Sequence, residues 1–346
     1  MVTLILFIII LGSIIFIHEG GHFLFAKLTG IYVYEFALGM GPKLFSFKKG
    51  ETVYSLRAIP IGGFCQLAGE EGEEEDLPKD RTLPGKKPWQ KFLVMFFGAG
   101  FNFISAILVL FFISLVWGST STEPILSSVE KGTPAYDAGL RKGDEVLEIN
   151  GHDIWTIDDI SLYLAISDGN ESKATEFKVK HKNGDVKTYD IKPEKTKVDG
   201  EERDVYGIGM VGEEQHGFLA SLKYTVIKTG SLFKQMWVTL LNLFTGGIRL
   251  SQLSGPVGIY EVVGTQASAG IASLLYLFSF LSINVGFINL LPLPAFDGGH
   301  ILFIIIEKIK GSPVKPETEA KFHATGLFLL MLLMIYVTFY DILRLF

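Results

Sequence analysis

A single cysteine in 346 residues, Cys65, leaves no disulfide framework on which to build a fold. Positive charge is also in deficit. Thirty-one lysines and arginines against 37 aspartates and glutamates give a net charge of -6, which argues against a nucleic-acid partner. The apolar start, residues 2–25, has no basic residue ahead of it and no small-residue cleavage site, so it reads as a retained membrane segment rather than a signal peptide. What the chain has in abundance is apolar side chains. At 48% hydrophobic residues and a mean hydropathy of +0.35, it suits a membrane protein that carries at least one water-soluble domain.

Four stretches reach the roughly 20 apolar residues that a bilayer crossing needs: residues 2–25, 92–117, 274–293 and 326–345. Ten lysines and arginines lie between Lys27 and Lys91, and this excess places the first connection on the cytoplasmic side. The basic connection from Lys308 to Lys321 falls on the same side, as four alternating spans require. Both termini and the long segment 118–273 are then expected outside the cytoplasm.

Inside the first span stands His18-Glu19-Gly20-Gly21-His22. Residues four apart share a helix face, so His18 and His22 can offer two imidazole nitrogens to one metal ion. Glu19 lies beside them, placed to take a proton from a bound water. Ionisable groups within a membrane span are costly, and they mark functional sites by default. Gly20 and Gly21 make an unusually flexible pair for such a helix, each costing about 1 kcal/mol relative to alanine.

Two histidines do not complete a zinc site, because a third protein ligand and an open position are needed. The third span ends Asn289-Leu290-Leu291-Pro292-Leu293-Pro294-Ala295-Phe296-Asp297-Gly298-Gly299-His300. Spans one and three run in the same direction, so their cytoplasmic ends meet at similar depth and Asp297 can face His18 and His22. Broken helix at that depth is tolerated where it is buried in protein or lines a wet cavity. His300 is a competing third ligand, ranked lower because the Gly-Gly step is expected to turn the chain outward before it.

A membrane-embedded His-Glu-x-x-His followed by Asn-x-x-Pro-x-Pro-x-x-Asp-Gly resembles the site-2 protease family of intramembrane zinc metalloproteases. The bacterial branch, which cleaves anti-sigma factors and remnant signal peptides, is the nearer likeness. Gly39-Met40-Gly41-Pro42, Ile59-Pro60-Ile61-Gly62-Gly63-Phe64 and Ser254-Gly255-Pro256-Val257-Gly258 extend the likeness over nearly the whole chain. Phe296 stands where the family usually has leucine, and Ala99 where proline often follows the second span's glycine. The resemblance implies His18, His22 and Asp297 as ligands of Zn2+ and Glu19 as catalytic base. It implies substrate binding by Asn289, Pro292, Gly62 and Gly63, single-pass membrane proteins as substrates, and a place in the bacterial plasma membrane.

The remaining chain fills in this outline. Residues 32–36, 43–47, 53–58 and 64–67 read as four short strands between glycine turns, whose edge an extended peptide could join. The acidic run 70–76 reads as a solvated loop. Asn102, among small residues of the second span, reads as packing glue. Residues 123–195 carry strand, turn and helix signals that resemble a bacterial, circularly permuted PDZ domain, acting as a steric gate or as a binder of chain ends. Residues 217–247 read as an interfacial amphipathic helix, residues 254–263 as a loop, and Asp341 and Arg344 as snorkelling groups.

The expected architecture is a polytopic α-helical membrane protein of four transmembrane helices, with a membrane-associated β-hairpin region and an inserted α+β PDZ-like domain. Its expected divisions are a first transmembrane helix with the zinc motif (1–29), the β region (30–67), a charged cytoplasmic loop (68–91) and a second transmembrane helix (92–117). The PDZ-like domain (118–200), an interfacial connection (201–273), the third transmembrane segment with the aspartate motif (274–300), a cytoplasmic connection (301–325) and a fourth transmembrane helix (326–346) follow. A receptor or chaperone has no use for a buried glutamate beside two histidines. A metal transporter needs ligands along a path, whereas these gather at one depth.

Overall fold

A computed structural model of the chain describes residues 1–69, 77–167, 174–198 and 201–344, and the acidic run 70–76 lies outside them. The chain opens with helix α1 (Val2–Thr29), strands β1 (Val33–Lys49) and β2 (Thr52–Leu67), and helix α2 (Pro88–Trp117). A mixed region follows: β3 (Ser119–Thr120), β4 (Ser128–Val129), α3 (Pro134–Ala138), β5 (Glu145–Ile149), β6 (His152–Asp153), α4 (Ile157–Ser167), β7 (Thr175–Lys180) and β8 (Val186–Ile191). It continues through β9 (Glu194–Val198), β10 (Glu201–Val205), β11 (Ile208–Gly209), β12 (Glu214–Gln215) and α5 (Phe218–Thr245). The chain closes with α6 (Pro256–Ala269), α7 (Ile271–Leu290), α8 (Asp297–Lys310) and α9 (Pro316–Arg344). Among the described residues α1, α2, α7 and α9 are the helices long and apolar enough to cross a membrane, and α5 is not one of them.

Two compact units emerge, residues 1–110 with 253–346, and residues 111–252. In the first, Phe7, Ile10 and Ile14 pack with Leu274 and Leu277 near the start of α7, together with Val263 of α6. Further along both chains His18 lies beside Asp297, so α1 and α7 run in the same direction. The α1–α2 contact depends on missing side chains. A Cβ on Gly21 would fall 2.0 Å from the Phe97 carbonyl oxygen, and one on Gly98 would fall 2.2 Å from His22 Nε2. Gly21 therefore serves close helix approach rather than flexibility, while Gly20 has nothing within 4 Å of its own Cβ position.

The four expected strand segments are present as the halves of β1 and β2: residues 33–38 lie between 63–67 on one side and 53–56 on the other, and residues 43–49 pair with 52–57. Gly39, Gly41 and Gly62 take positive φ, and the pairing register slips repeatedly between Leu38 and Phe45. The glycines thus lie where each long strand changes its pairing partner. The base of the hairpin is held by a core that includes Ile31, Val33, Phe36, Cys65 and Leu67 with Ala26 and Val94, whereas β1 is exposed from Met40 onward. Glu35 is buried in the hairpin and paired with Lys43 and Arg57. Burial alone would raise its carboxyl, but hydrogen bonds from Lys43, Ser55 and Arg57 outweigh it and hold the pKa at about 2.

Three further expectations change. Residues 254–263 form the start of helix α6 rather than a loop, and the expected connection 301–325 contains most of α8 and the first turns of α9. Asp341 does not snorkel: it is buried and accepts the Gly258 backbone N–H at 2.9 Å, anchoring the first turn of α6. The amphipathic helix expected at 217–247 is present as α5.

The second unit is built on a four-stranded antiparallel sheet in the order β6-β5-β7-β8. Its core gathers Leu126, Leu140, Val146, Ile149, Ile160 and Phe177. Asn150 and Gly151, both at positive φ, make the tight turn between β5 and β6. The unit extends past residue 200, because β11 and β12 return to pair with β4 and β3. Helix α5 is tied to it by Lys228–Asp158 and Lys234–Asp159 ion pairs.

Candidate metal centre

Helix α1 places His18 and His22 on one face, both buried, with ring planes nearly perpendicular at 81°. The backbone carbonyl of Val94 on α2 lies 2.9 Å from His22 Nδ1. A carbonyl can only accept, so His22 carries its proton on Nδ1 and leaves Nε2 bare. The Asn102 side-chain amide lies 3.4 Å from His18 Nδ1, while its Oδ1 is buried without a partner among the described residues. Turning that amide over puts the oxygen on the ring, satisfies the orphan acceptor, and leaves Nε2 of His18 bare as well.

The third corner comes from the break between α7 and α8. Pro292 and Pro294 lack backbone N–H groups, so the helix stops at Leu290 and the chain re-enters helix at Asp297. Gly298 and Gly299 follow, buried; Cβ atoms there would meet the Leu291 and Leu293 carbonyl oxygens at 2.1 and 2.6 Å. Asp297 Oδ2 then stands 3.3 Å from His18 Nε2 and 3.4 Å from His22 Nε2, and the two Nε2 atoms are 3.3 Å apart. Bonds of 2.0–2.1 Å in tetrahedral geometry separate ligand atoms by about 3.3–3.4 Å. Asp297 Oδ2 is also buried with no hydrogen-bond partner among the described residues. The triangle therefore fits a zinc-sized cation and leaves a fourth position open.

The other expected site residues are placed around it. Glu19 follows His18 and lies within electrostatic reach of His22. A Cβ on Gly63 of β2 would fall 3.5 Å from Glu19 Cγ, so the strand passes directly beside the stem of this side chain. Gly62, at φ +86°, abuts Met40. Asn289 sits half-buried on the last turn of α7, and Pro292 is exposed beyond it.

His300 is not brought to the triangle. It forms a second group of metal-capable side chains with Glu319 and His323 of α9. Its Nδ1–H donates to Glu319 Oε1 at 3.0 Å, and its ring stacks on His323 with centroids 3.9 Å apart and planes 13° from parallel. A metal in the plane of one ring misses the plane of the other, so this arrangement is not a preformed ligand set. Sequence reasoning missed Asn102, His323 and the Val94 carbonyl. The one visible signal was a polar Asn102 within an otherwise apolar span.

The model of peptidase family M50 matches residues 6–333. The chain is 34% identical to the regulator of sigma-W protease RasP of Bacillus subtilis, with 99% of each chain covered. It is 33% identical to the zinc metalloprotease RasP of Bacillus licheniformis, again over 99% of both.

Proposed function

The chain belongs to peptidase family M50, the site-2 protease family, and from that premise we propose that His18, His22 and Asp297 hold its zinc, with Glu19 as base. It is a multi-pass membrane zinc metalloprotease that carries out intramembrane proteolysis. The observation that carries the residue assignment is the triangle of 3.3, 3.3 and 3.4 Å, whose edges match tetrahedral zinc.

Zinc in that position supplies Lewis acidity and lowers the pKa of a water to near neutrality. Val94 and Asn102 fix the ring orientations, so that both Nε2 lone pairs are available. Glu19 takes the proton of the attacking water and passes it to the leaving amine. A transmembrane helix hides its amide bonds and must be unwound before attack. In the β1–β2 sheet the outermost, edge-forming segments are 63–67 and 43–49, and β2 runs past Glu19 at Gly63. A substrate segment drawn out along that edge, over Gly62 and Gly63, reaches the base as an extended peptide. Asn289 binds its backbone or polarises its carbonyl, and Pro292 lines its path.

The substrates in this reading are single-pass membrane proteins, anti-sigma factors and remnant signal peptides among them. The lysines and arginines between Lys27 and Lys91 support a cut near the cytoplasmic face of the plasma membrane, with residues 118–273 outside the cytoplasm. Residues 118–200 within that segment are PDZ-like, as their antiparallel sheet with α3 and α4 supports, and they gate substrates by the size of their outer domains. The test is Glu19→Gln in detergent-purified protein given single-pass segments and read by mass spectrometry. Cleavage should be lost while zinc stays bound, whereas cleavage near wild type refutes the role of Glu19.

A further inference from the structure

Among the described residues only Asn150 and Ala295 combine a side chain with positive φ, and Ala295, at +69°, stands two residues before Asp297. Alanine does not take this conformation unaided, so surrounding structure must enforce it. The enforcing contact is on α9. The Ala295 backbone N–H donates to His323 Nδ1 at 3.2 Å. Because Nδ1 accepts, the His323 proton resides on Nε2, which has no hydrogen-bond partner among the described residues.

The same face of α9 grips the loop at two more points. A Cβ on Gly326 would fall 2.2 Å from Pro294 Cβ, so α9 touches the loop directly at that position. Glu319 accepts from His300, whose ring lies flat on His323. Positions 319, 323 and 326 share one helix face, and all three bear on the segment from Pro294 to His300 that contains Asp297.

We propose that this face of α9 is a clasp that sets the third corner of the metal centre, with His323 as the positioning residue that holds Ala295 in its left-handed turn and so aims Asp297 at His18 and His22. The proposal rests on the assignment of Asp297 as a zinc ligand. Without the His323 acceptor, Ala295 relaxes toward negative φ and the carboxylate leaves the triangle, although every ligand is still present in the chain. Losing a group that orients a ligand weakens metal binding by about 10- to 100-fold.

Two substitutions separate the hydrogen bond from simple packing. His323→Phe keeps the ring against His300 but accepts nothing. His323 lines a cavity of about 850 Å³, which takes the extra ring atom. His323→Asn loses the ring but sets Oδ1 where Nδ1 was. Full-length protein is purified in detergent, zinc affinity is measured by chelator competition, and the cobalt-loaded protein is examined by its visible spectrum. His323→Phe should bind about 10- to 100-fold more weakly with an altered cobalt spectrum, while His323→Asn stays near wild type. Adding Ala295→Gly to His323→Phe should restore part of the loss, since glycine takes positive φ unaided. Wild-type affinity and spectrum in His323→Phe, or a loss in His323→Asn as large as in His323→Phe, overturns the clasp. Asp297→Ala is the companion control. If it keeps zinc, the ligand assignment has failed; if it loses zinc while His323→Phe does not, the clasp alone has failed.

Discussion

Two groups of histidine and carboxylate lie at either end of the short path from Asp297 to His300, and they are built from the same residue types to different ends. In His18, His22 and Asp297 the rings stand at 81° and three bare atoms converge within 3.4 Å. In His300, Glu319 and His323 the rings lie 13° from parallel, and the Nδ1 atoms are spent on Glu319 and on the Ala295 N–H. Ring orientation, which the partners of the far nitrogen dictate, separates a metal centre from a structural clasp. Residue type and proximity alone do not.

The largest effect that could break this contrast is removal of the carboxylate. Asp297→Ala should lose zinc and all cleavage, measured by metal analysis and substrate turnover, while His300→Ala keeps its zinc. The reverse pattern would make the second group the metal centre. Next, Glu19→Gln should lower the rate of cleavage by about 10²- to 10⁴-fold with zinc content unchanged, which separates proton transfer from metal binding within the first group.

Asn102→Leu is a smaller and sharper test. It removes the amide that orients His18 and should weaken zinc by about 10- to 100-fold in chelator competition. Zinc binding unaltered by that change would show that His18 needs no orienting partner.

How far the sequence alone could reach follows the same division. The His18–His22 spacing within one helix was readable, because i and i+4 share a face whatever surrounds them. Asp297 was reachable through span direction, since α1 and α7 run parallel. Asn102 and the Val94 carbonyl were not, because their partners lie 84 and 72 residues away on another helix, and no local period encodes such a contact. The four strand segments between Tyr32 and Leu67 were readable from their glycine punctuation, but their order in the sheet was not. Gly39, Gly41 and Gly62 look like turn signals, and the pairing partner does change at them, but which segment lies beside which is shown only by the register. Helix α8, with 14 residues, is too short to be read as a span and carries the buried Gly298-Gly299 pair that sequence reasoning takes for a turn.

The smallest expected effect lies outside both groups and serves as their reference. The folded pKa of Glu35, about 2, is below its ordinary 4.5. It therefore contributes stability that is fully present above about pH 4.5 and is lost as pH falls toward 2. Glu35→Gln should flatten this part of the acid limb in thermal unfolding, with zinc content at neutral pH unaffected. An unchanged acid limb would remove Glu35 from the account.

The most direct measurement of the central claim is zinc X-ray absorption on the purified protein, wild type beside His300→Ala and Asp297→Ala. Wild type should show two imidazole nitrogens and oxygen ligands at about 2.0–2.2 Å, His300→Ala the same shell, and Asp297→Ala its loss. A wild-type shell that survives Asp297→Ala and disappears in His300→Ala would contradict that claim.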